Sequence, residues 1–345
     1  MSTTVALFGC TGNVGSRLVE ALETKDAASS SAGNTQFLMF TRSLKDKKGG
    51  DTTSKSNVIP TLLPTTTQDK VAVCDSSALA DILSSQQVKT VVLIIPQLLV
   101  HQCKEYVLDL LPAWKKAGVE RVIKVGTGNA EKYAYGRKHI EGEEAIRQAG
   151  FKLTVLQGGD YSSNPQWLGP SPPGAPYLLI DLFKGMSYLS KIPKLGMFRS
   201  MGNVGNFFGT VQEPFLDLRD FAAALKVVIM DPSKKHDNKV YKIYSEAVSM
   251  QQVADVYGEL LGRTLHVIDL DDDEIRGLME MSGMEGEMLD LALEMFARFR
   301  EGAYEPNDDS WSDYERLTGQ KPRSFADFAK EHVQAGFKPI PIPKF

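Results

Sequence analysis

The sequence predicts an α/β fold, a doubly wound parallel sheet joined to a smaller C-terminal α/β lobe, and three observations carry that prediction. The first half of the 345-residue chain alternates short apolar runs with stretches of helical periodicity, the pattern of βαβ units. The first apolar run, Val5-Ala6-Leu7-Phe8, breaks into Gly9, Gly12 and Gly15, after which Leu18, Val19 and Leu22 recur at helical spacing. Beyond Leu156 the pattern changes, first to a Pro- and Gly-rich segment over 164–176 and then to an apolar stretch punctuated by lysines. The sheet is therefore assigned to residues 1–160 and the smaller lobe to 161–345, with segments near 214–245 expected to return to the sheet.

Val5–Phe8 has no polar alternation, as a strand covered on both faces requires. Further strands are predicted at Phe37–Phe40, Val71–Val73, Thr90–Ile95, Arg121–Val125 and Leu153–Leu156. Residues 26–34 and 49–68, rich in Ser, Thr, Gly and Lys, read as surface insertions. Phe215-Leu216-Asp217-Leu218 reads as a strand entering a helix with Asp220 near its start, and Val240–Ile243 as a further strand. Met250–Leu261 is a predicted helix that Gly262 ends. The methionine-rich segment Asp271–Arg300 is expected to form an amphipathic helix pair in the lobe.

Composition excludes several classes. A formal net charge of −4 gives no electrostatic reason to expect nucleic acid or an anionic membrane as partner. The apolar stretch Val88–Val100 is interrupted by Lys89, Thr90, Pro96 and Gln97 and is too short to span a bilayer. The glycine-rich turn follows the first methionine so closely that no secretory leader is expected, and a cytoplasmic location follows. Three widely spaced cysteines, Cys10, Cys74 and Cys103, fit neither a disulfide framework nor a metal knuckle. No H-x-x-x-H spacing occurs among the five histidines, so no metal is expected. Cys10, inside the turn, reads as a small filler rather than a redox thiol.

The turn itself has the chemistry of a phosphate cradle. Gly9 permits a sharp exit from the strand, Gly12 lets the backbone approach a pyrophosphate, and Gly15 lets the helix lie close to the sheet. Thr11, Asn13 and Val14 complete the turn, and the helix start supplies free N–H groups and a positive dipole end. The second strand ends Met39-Phe40-Thr41-Arg42-Ser43, without the acid that would bond a ribose 2′-hydroxyl. Arg42 instead offers a guanidinium suited to a 2′-phosphate, so NADP(H) is the expected cofactor. Asp75 is placed either to meet an adenine amino group or to cap the following helix. Pro96 closes the fourth predicted strand where the nicotinamide half belongs.

The ordered series GCTGNVG (9–15), FTRS (40–43), CDSSALADIL (74–83), VLIIPQ (92–97), GVERVIKVGTGNA (118–130), KHIEGEEAIRQAGFKLTVLQGGDYSSN (138–164), PFLDLRDFAAA (214–224) and VYKIYSEAVSMQQVADVYGELLGR (240–263) resembles the NmrA-like branch of atypical short-chain dehydrogenases/reductases. The resemblance spans nearly the whole chain and implies a Rossmann-type domain with a small C-terminal lobe. It implies one of two functions. Some members are NADPH-dependent reductases of quinones, isoflavonoids or lignan precursors; others bind the dinucleotide without evident turnover and act as redox-sensing regulators with a protein partner.

The departures from the wider superfamily are chemical. The Tyr-x-x-x-Lys pair, in which lysine lowers the tyrosine pKa, is missing: Tyr133 is followed four residues later by Arg137, and Tyr135 three residues later by Lys138. His139 falls where reductase members of the branch carry lysine, which implies a role in orienting the cofactor or shuttling a proton near neutral pH. Lys138 points about 100° away around the helix and is expected at the surface. Gly126 replaces a frequent serine and leaves Thr127 as the nearest hydroxyl. Tyr161 and Asn164 match the segment that edges nicotinamide and substrate. The resulting expectation is catalytic work by His139 and Tyr161, with NADP(H) held by Gly9, Thr11, Gly12, Asn13, Val14, Gly15, Arg42, Asp75, Pro96, Thr127 and His139. The expected substrate is a small aromatic, enone or quinone-like acceptor, whose reduced form needs little proton assistance; the alternative is a catalytically inactive NADP(H) sensor.

Overall fold

The computed structural model describes residues 3–23, 35–41, 57–68, 71–161, 204–231, 233–262, 264–281, 284–305 and 312–334. Strand β1 (Thr3–Phe8) leads into α1 (Asn13–Glu23), followed by β2 (Thr35–Thr41), β3 (Val58–Leu62), β4 (Thr65–Gln68), β5 (Val71–Cys74) and α2 (Ser76–Ser85). Next come β6 (Thr90–Leu93), α3 (Cys103–Ala117), β7 (Arg121–Thr127), α4 (Ala134–Gln148), β8 (Lys152–Gly158) and β9 (Asp160–Tyr161). The later described part contains β10 (Val204–Asn206), β11 (Glu213–Leu216), α5 (Leu218–Met230), β12 (Val240–Ile243), β13 (Glu246–Val248) and α6 (Met250–Leu261). It ends with β14 (Val267–Asp269), α7 (Asp272–Met281), α8 (Gly286–Arg300), α9 (Tyr314–Thr318) and α10 (Phe325–Gln334).

Seven strands form one parallel sheet in the order β12-β8-β7-β6-β1-β2-β3. The chain winds from β1 outward to β3, then returns to β6 beside β1 and winds the other way. The reversal makes a crevice at the carboxyl ends of β1 and β6, the place where open α/β sheets bind ligands. Both faces are covered, which explains the unbroken apolar strands: Ala6 and Phe8 pack with Leu79, Trp114 and Val122 on one side, Val5 and Leu7 with Leu18, Phe221 and Leu225 on the other. A separate cluster around Phe207, Phe215, Tyr257 and Phe325 forms the core of the later segment.

The third strand of the sheet differs from the sequence expectation. Val71–Cys74 pairs antiparallel with Thr65–Gln68, and the position beside β2 is filled by Val58–Leu62, inside the stretch read as an insertion. Pro60 lies in that strand opposite Met39, a placement an edge strand tolerates because half its N–H groups face away from the sheet. Residues 26–34 lie outside the described residues. Val240–Ile243 adds to the other edge against β8. The predicted helix Met250–Leu261 has those bounds; Ser249 and Gln252 close a capping box at its start, and Gly262 takes the left-handed conformation at its end. Among the described residues no helix is long and apolar enough to cross a membrane.

Candidate functional site

The turn between β1 and α1 lies at the crevice, and its three glycines have different local requirements. Gly9 has φ +79°, and a Cβ there would stand 2.0 Å from the carbonyl oxygen of Ile94, just past the end of β6. Gly15 sits in the first turn of α1, where a Cβ would stand 2.3 Å from the Cα of Cys10. These two glycines let the helix and the neighbouring strand close on the turn. Gly12 is not demanded by packing: the nearest atom to a built Cβ is the Gly9 carbonyl oxygen at 3.9 Å, and Thr11, Gly12 and Asn13 are all exposed. A glycine where the protein has room for a side chain fits a backbone that another molecule must approach. The Ser16 N–H donates to the Gly12 carbonyl at 2.8 Å, and no acidic side chain lies in the first turn of α1 to compete with an anion. Val14 packs against the apolar cluster under α1, and Cys10 is fully buried, with its thiol pushed up to about 12 by burial.

Around the turn, the remaining expected residues fall into place unevenly. Asp75 is the N-cap of α2, accepting hydrogen bonds from the backbone N–H groups of Ser77 (3.1 Å) and Ala78 (3.0 Å) through Oδ1. Pro96 opens a 3₁₀ turn over Gln97–Gln102 past the end of β6. Thr127, at the end of β7, shares its hydroxyl with Tyr133 (2.6 Å) and Tyr304 (3.3 Å). Tyr133 donates in turn to the Gly128 carbonyl (2.9 Å) and Tyr304 to the Gly158 carbonyl (2.7 Å), so the β7 end is tied to the segment after α8. Tyr161 pairs by its backbone with Leu216, and nothing is described of its side chain. Arg42 and Asn164 lie outside the described residues.

His139 projects from α4 into a buried charged group that sequence reasoning missed. Its Nδ1 is 3.0 Å from Nζ of Lys124, a β7 side chain with no exposure at all. Lys124 also donates to Oε1 of Glu143 (3.2 Å) and to the Val125 carbonyl (3.3 Å). Arg147 reaches the other oxygen of Glu143 at 3.4 Å. Tyr135 lies against the imidazole, ring centroids 5.5 Å apart. Burial first, and the Lys124 charge second, hold His139 well below the ordinary histidine value, so it stays neutral at physiological pH. Of the two roles expected for His139, this environment disfavours the proton shuttle and is compatible with orienting a cofactor. Two signals were present in the sequence: a lysine at an inward position of the apolar strand Arg121–Thr127, and a Tyr135-x-x-x-His139 spacing that repeats the missing pair with histidine for lysine. Lys138 faces outward, as expected, and pairs with Glu287 at 2.9 Å.

A cavity of about 840 Å³ lies at the other edge of the sheet, lined by Thr3, Lys89, Glu120 and Lys152 at the amino ends of the strands, and takes no part in this site.

A parallel sheet with a glycine turn at its reversal point, backed by a helix start without acidic competition, defines a Rossmann-type α/β protein with a crevice at the carboxyl ends of β1 and β6. The chain belongs to the NmrA-like family, which matches residues 1–329. Among curated proteins it is similar to an NAD(P)H azoreductase of Xenophilus azovorans, 25% identical over 230 residues that make up 66% of this chain and 70% of the relative. Among solved structures it resembles an NADPH-dependent quinone oxidoreductase from Escherichia coli complexed with NADPH, with a TM-score of 0.66, 19% identity, and coverage of 95% of this chain and 99% of the other. It also resembles NmrA, a negative transcriptional regulator solved in complex with NADP, with a TM-score of 0.61, 15% identity, and coverage of 97% and 96%.

Proposed function

We propose that this protein binds NADP(H) in the crevice between β1 and β6 and reduces a small aromatic, enone or quinone-like acceptor. The observation that carries the reading is Gly12: it is flanked by two glycines that packing requires, is itself not required by packing, and lies where a pyrophosphate would meet the start of α1. Gly9, Thr11, Gly12, Asn13, Val14 and Gly15 would hold the pyrophosphate, Arg42 the 2′-phosphate, and Pro96, Thr127 and His139 the nicotinamide side. Asp75 has a cap to serve and would add at most a contact to adenine. When bound, the reduced cofactor supplies a hydride. Tyr161 would border the acceptor, and His139, being neutral, would donate a hydrogen bond and not a proton. The Thr127 hydroxyl is engaged with two tyrosines, so the chemistry left to this chain suits an acceptor whose anionic product is already stabilised, as a hydroquinone is. Residues 1–160 would form the cofactor part and the residues from 161 onward the part that covers the acceptor.

The same engagement of Thr127 favours a second reading, a protein that senses the redox state of NADP(H) and passes it to a protein partner. NADPH oxidation against a panel of quinones, enones and azo dyes, run beside calorimetry with NADP+ and NADPH, separates the two. Turnover with any acceptor supports the reductase. Binding without turnover, with unequal affinities for the two forms, supports the sensor, and no binding overturns both.

A further inference from the structure

Lys124 is the least expected residue in the sheet. Its ammonium sits with no exposure between β7 and α4, and burial of that kind demands that every donor be answered. Three acceptors are present for its three N–H groups: Nδ1 of His139 at 3.0 Å, Oε1 of Glu143 at 3.2 Å and the Val125 carbonyl at 3.3 Å. Glu143 supplies the counter-charge and is itself shared with Arg147. A lysine whose N–H points at Nδ1 requires a lone pair there, and a neutral imidazole with a lone pair on Nδ1 carries its proton on Nε2.

We propose that Lys124 is a positioning residue that locks His139 in the neutral Nε2–H tautomer, so that the imidazole meets a bound cofactor or acceptor only as a hydrogen-bond donor. The groups that face His139 agree with this assignment. Lys124 comes from β7, and Glu143 and Tyr135 come from α4; Cys103 of α3 packs against the same helix at Gly142, where its sulfur lies 2.7 Å from where a Cβ would stand. Glu143 is drawn onto Lys124 and Arg147 and leaves the ring to the lysine. A lysine in the usual Tyr-x-x-x-Lys place would present an ammonium directly to a ribose; here the ammonium stands one layer deeper, and the imidazole relays its direction without its charge. The use of this donor at the nicotinamide side rests on the proposed function, whereas the tautomer does not.

The test is long-range ¹H–¹⁵N spectroscopy of the histidine-labelled full chain, with the His139 ring assigned by its loss in His139→Gln. The expected spectrum shows Nε2–H over Nδ1–H by at least about tenfold, unchanged from pH 5.5 to 8. In Lys124→Met/Glu143→Gln, which removes both charges together, the tautomers should mix or the ring should begin to titrate, and Lys124→Arg should restore the wild-type pattern. A wild-type ring carrying its proton on Nδ1, a titration midpoint near 6.5, or an unchanged tautomer in the folded double variant would overturn the proposal. If the double variant does not fold, the wild-type spectrum decides alone. NADPH affinity measured over the same pH range in the wild type and in His139→Gln reads the second half: the 2′-phosphate titrates at about pH 6 in both, so profiles of the same shape agree with a donor that never titrates, a step lost in His139→Gln contradicts it, and no binding at all refutes the functional reading while leaving the tautomer result intact.

Discussion

Gly9 and Ile94 meet backbone to backbone: a Cβ on Gly9 would stand 2.0 Å from the Ile94 carbonyl oxygen, and Gly9 adopts φ +79°. This contact joins the first strand of one winding direction to the first strand of the other, so the turn is held by the sheet itself. Gly9→Ala must displace backbone and adopt an unfavourable φ, and Gly15→Ala must displace the turn at Cys10. Each should cost at least about 2 kcal/mol in denaturant unfolding. Gly12→Ala, with 3.9 Å of clearance, should stay within about 0.5 kcal/mol of wild type while NADPH affinity in calorimetry falls about tenfold or more. An unfolded Gly12→Ala, or one with full affinity, would contradict the division of labour.

Arg42 is the proposed discriminator between the two dinucleotides. Its guanidinium on a 2′-phosphate should contribute about 1.5–3 kcal/mol, or roughly 10- to 100-fold in affinity. Arg42→Ala should therefore weaken NADPH by that factor, leave NADH nearly unchanged, and show a smaller difference as salt rises. Equal losses for both cofactors would assign Arg42 to the fold.

His332 gives stability a dependence on pH. The imidazole is buried against Tyr257, whose hydroxyl is 3.0 Å from Nδ1, and burial pulls it down to about 4. An unfolded chain takes up this proton near 6.5, so between about 6.5 and 4 the unfolded state holds more protons and stability falls as pH falls. Above about 6.5 the contribution is constant. The loss from this site should be on the order of 2 kcal/mol, and His236 and His139, both also lowered, act in the same direction. Urea midpoints from pH 8 to 4.5 should show the slope, and His332→Gln should lack this residue's share.

Thiol labelling should follow burial. Cys10 and Cys103 are inaccessible, and Cys74, partly exposed, is raised to about 11 by burial and by Asp109 and Asp75. Maleimide at pH 7.5 should modify Cys74 slowly and first, and Cys10 and Cys103 only on unfolding. Rapid labelling of Cys10 in the native protein would return it to the class of redox-sensitive thiols.

The parallel strands and the glycine turn were legible because their signals are local: apolar runs without alternation, and glycines at fixed spacing before a helical pattern. The third strand was not, because Val58–Leu62 carries a proline and is chosen by pairing with β2, which local propensity does not encode. His139 was found because it falls where reductase members of the branch carry lysine, yet its surroundings were not legible. Burial first, and Lys124 fifteen residues earlier on another element second, lower its pKa, and one residue's identity reports neither. The tyrosine contacts at Thr127 were hidden for the same reason, since Tyr304 reaches it from 177 residues away.

The sheet order also fixes when this protein can become whole during synthesis. The turn from Gly9 to Gly15 is made well before α5, but Leu18 and Val19 of α1 are covered by Phe221 and Leu225 of α5, and the second edge of β8 is paired only when Val240–Ile243 arrives. A nascent chain that ends near Tyr161 therefore carries an open strand edge and an uncovered apolar helix face, both templates for misassociation. The packing that supports the glycine turn is thus completed by residues made more than two hundred positions after the turn itself.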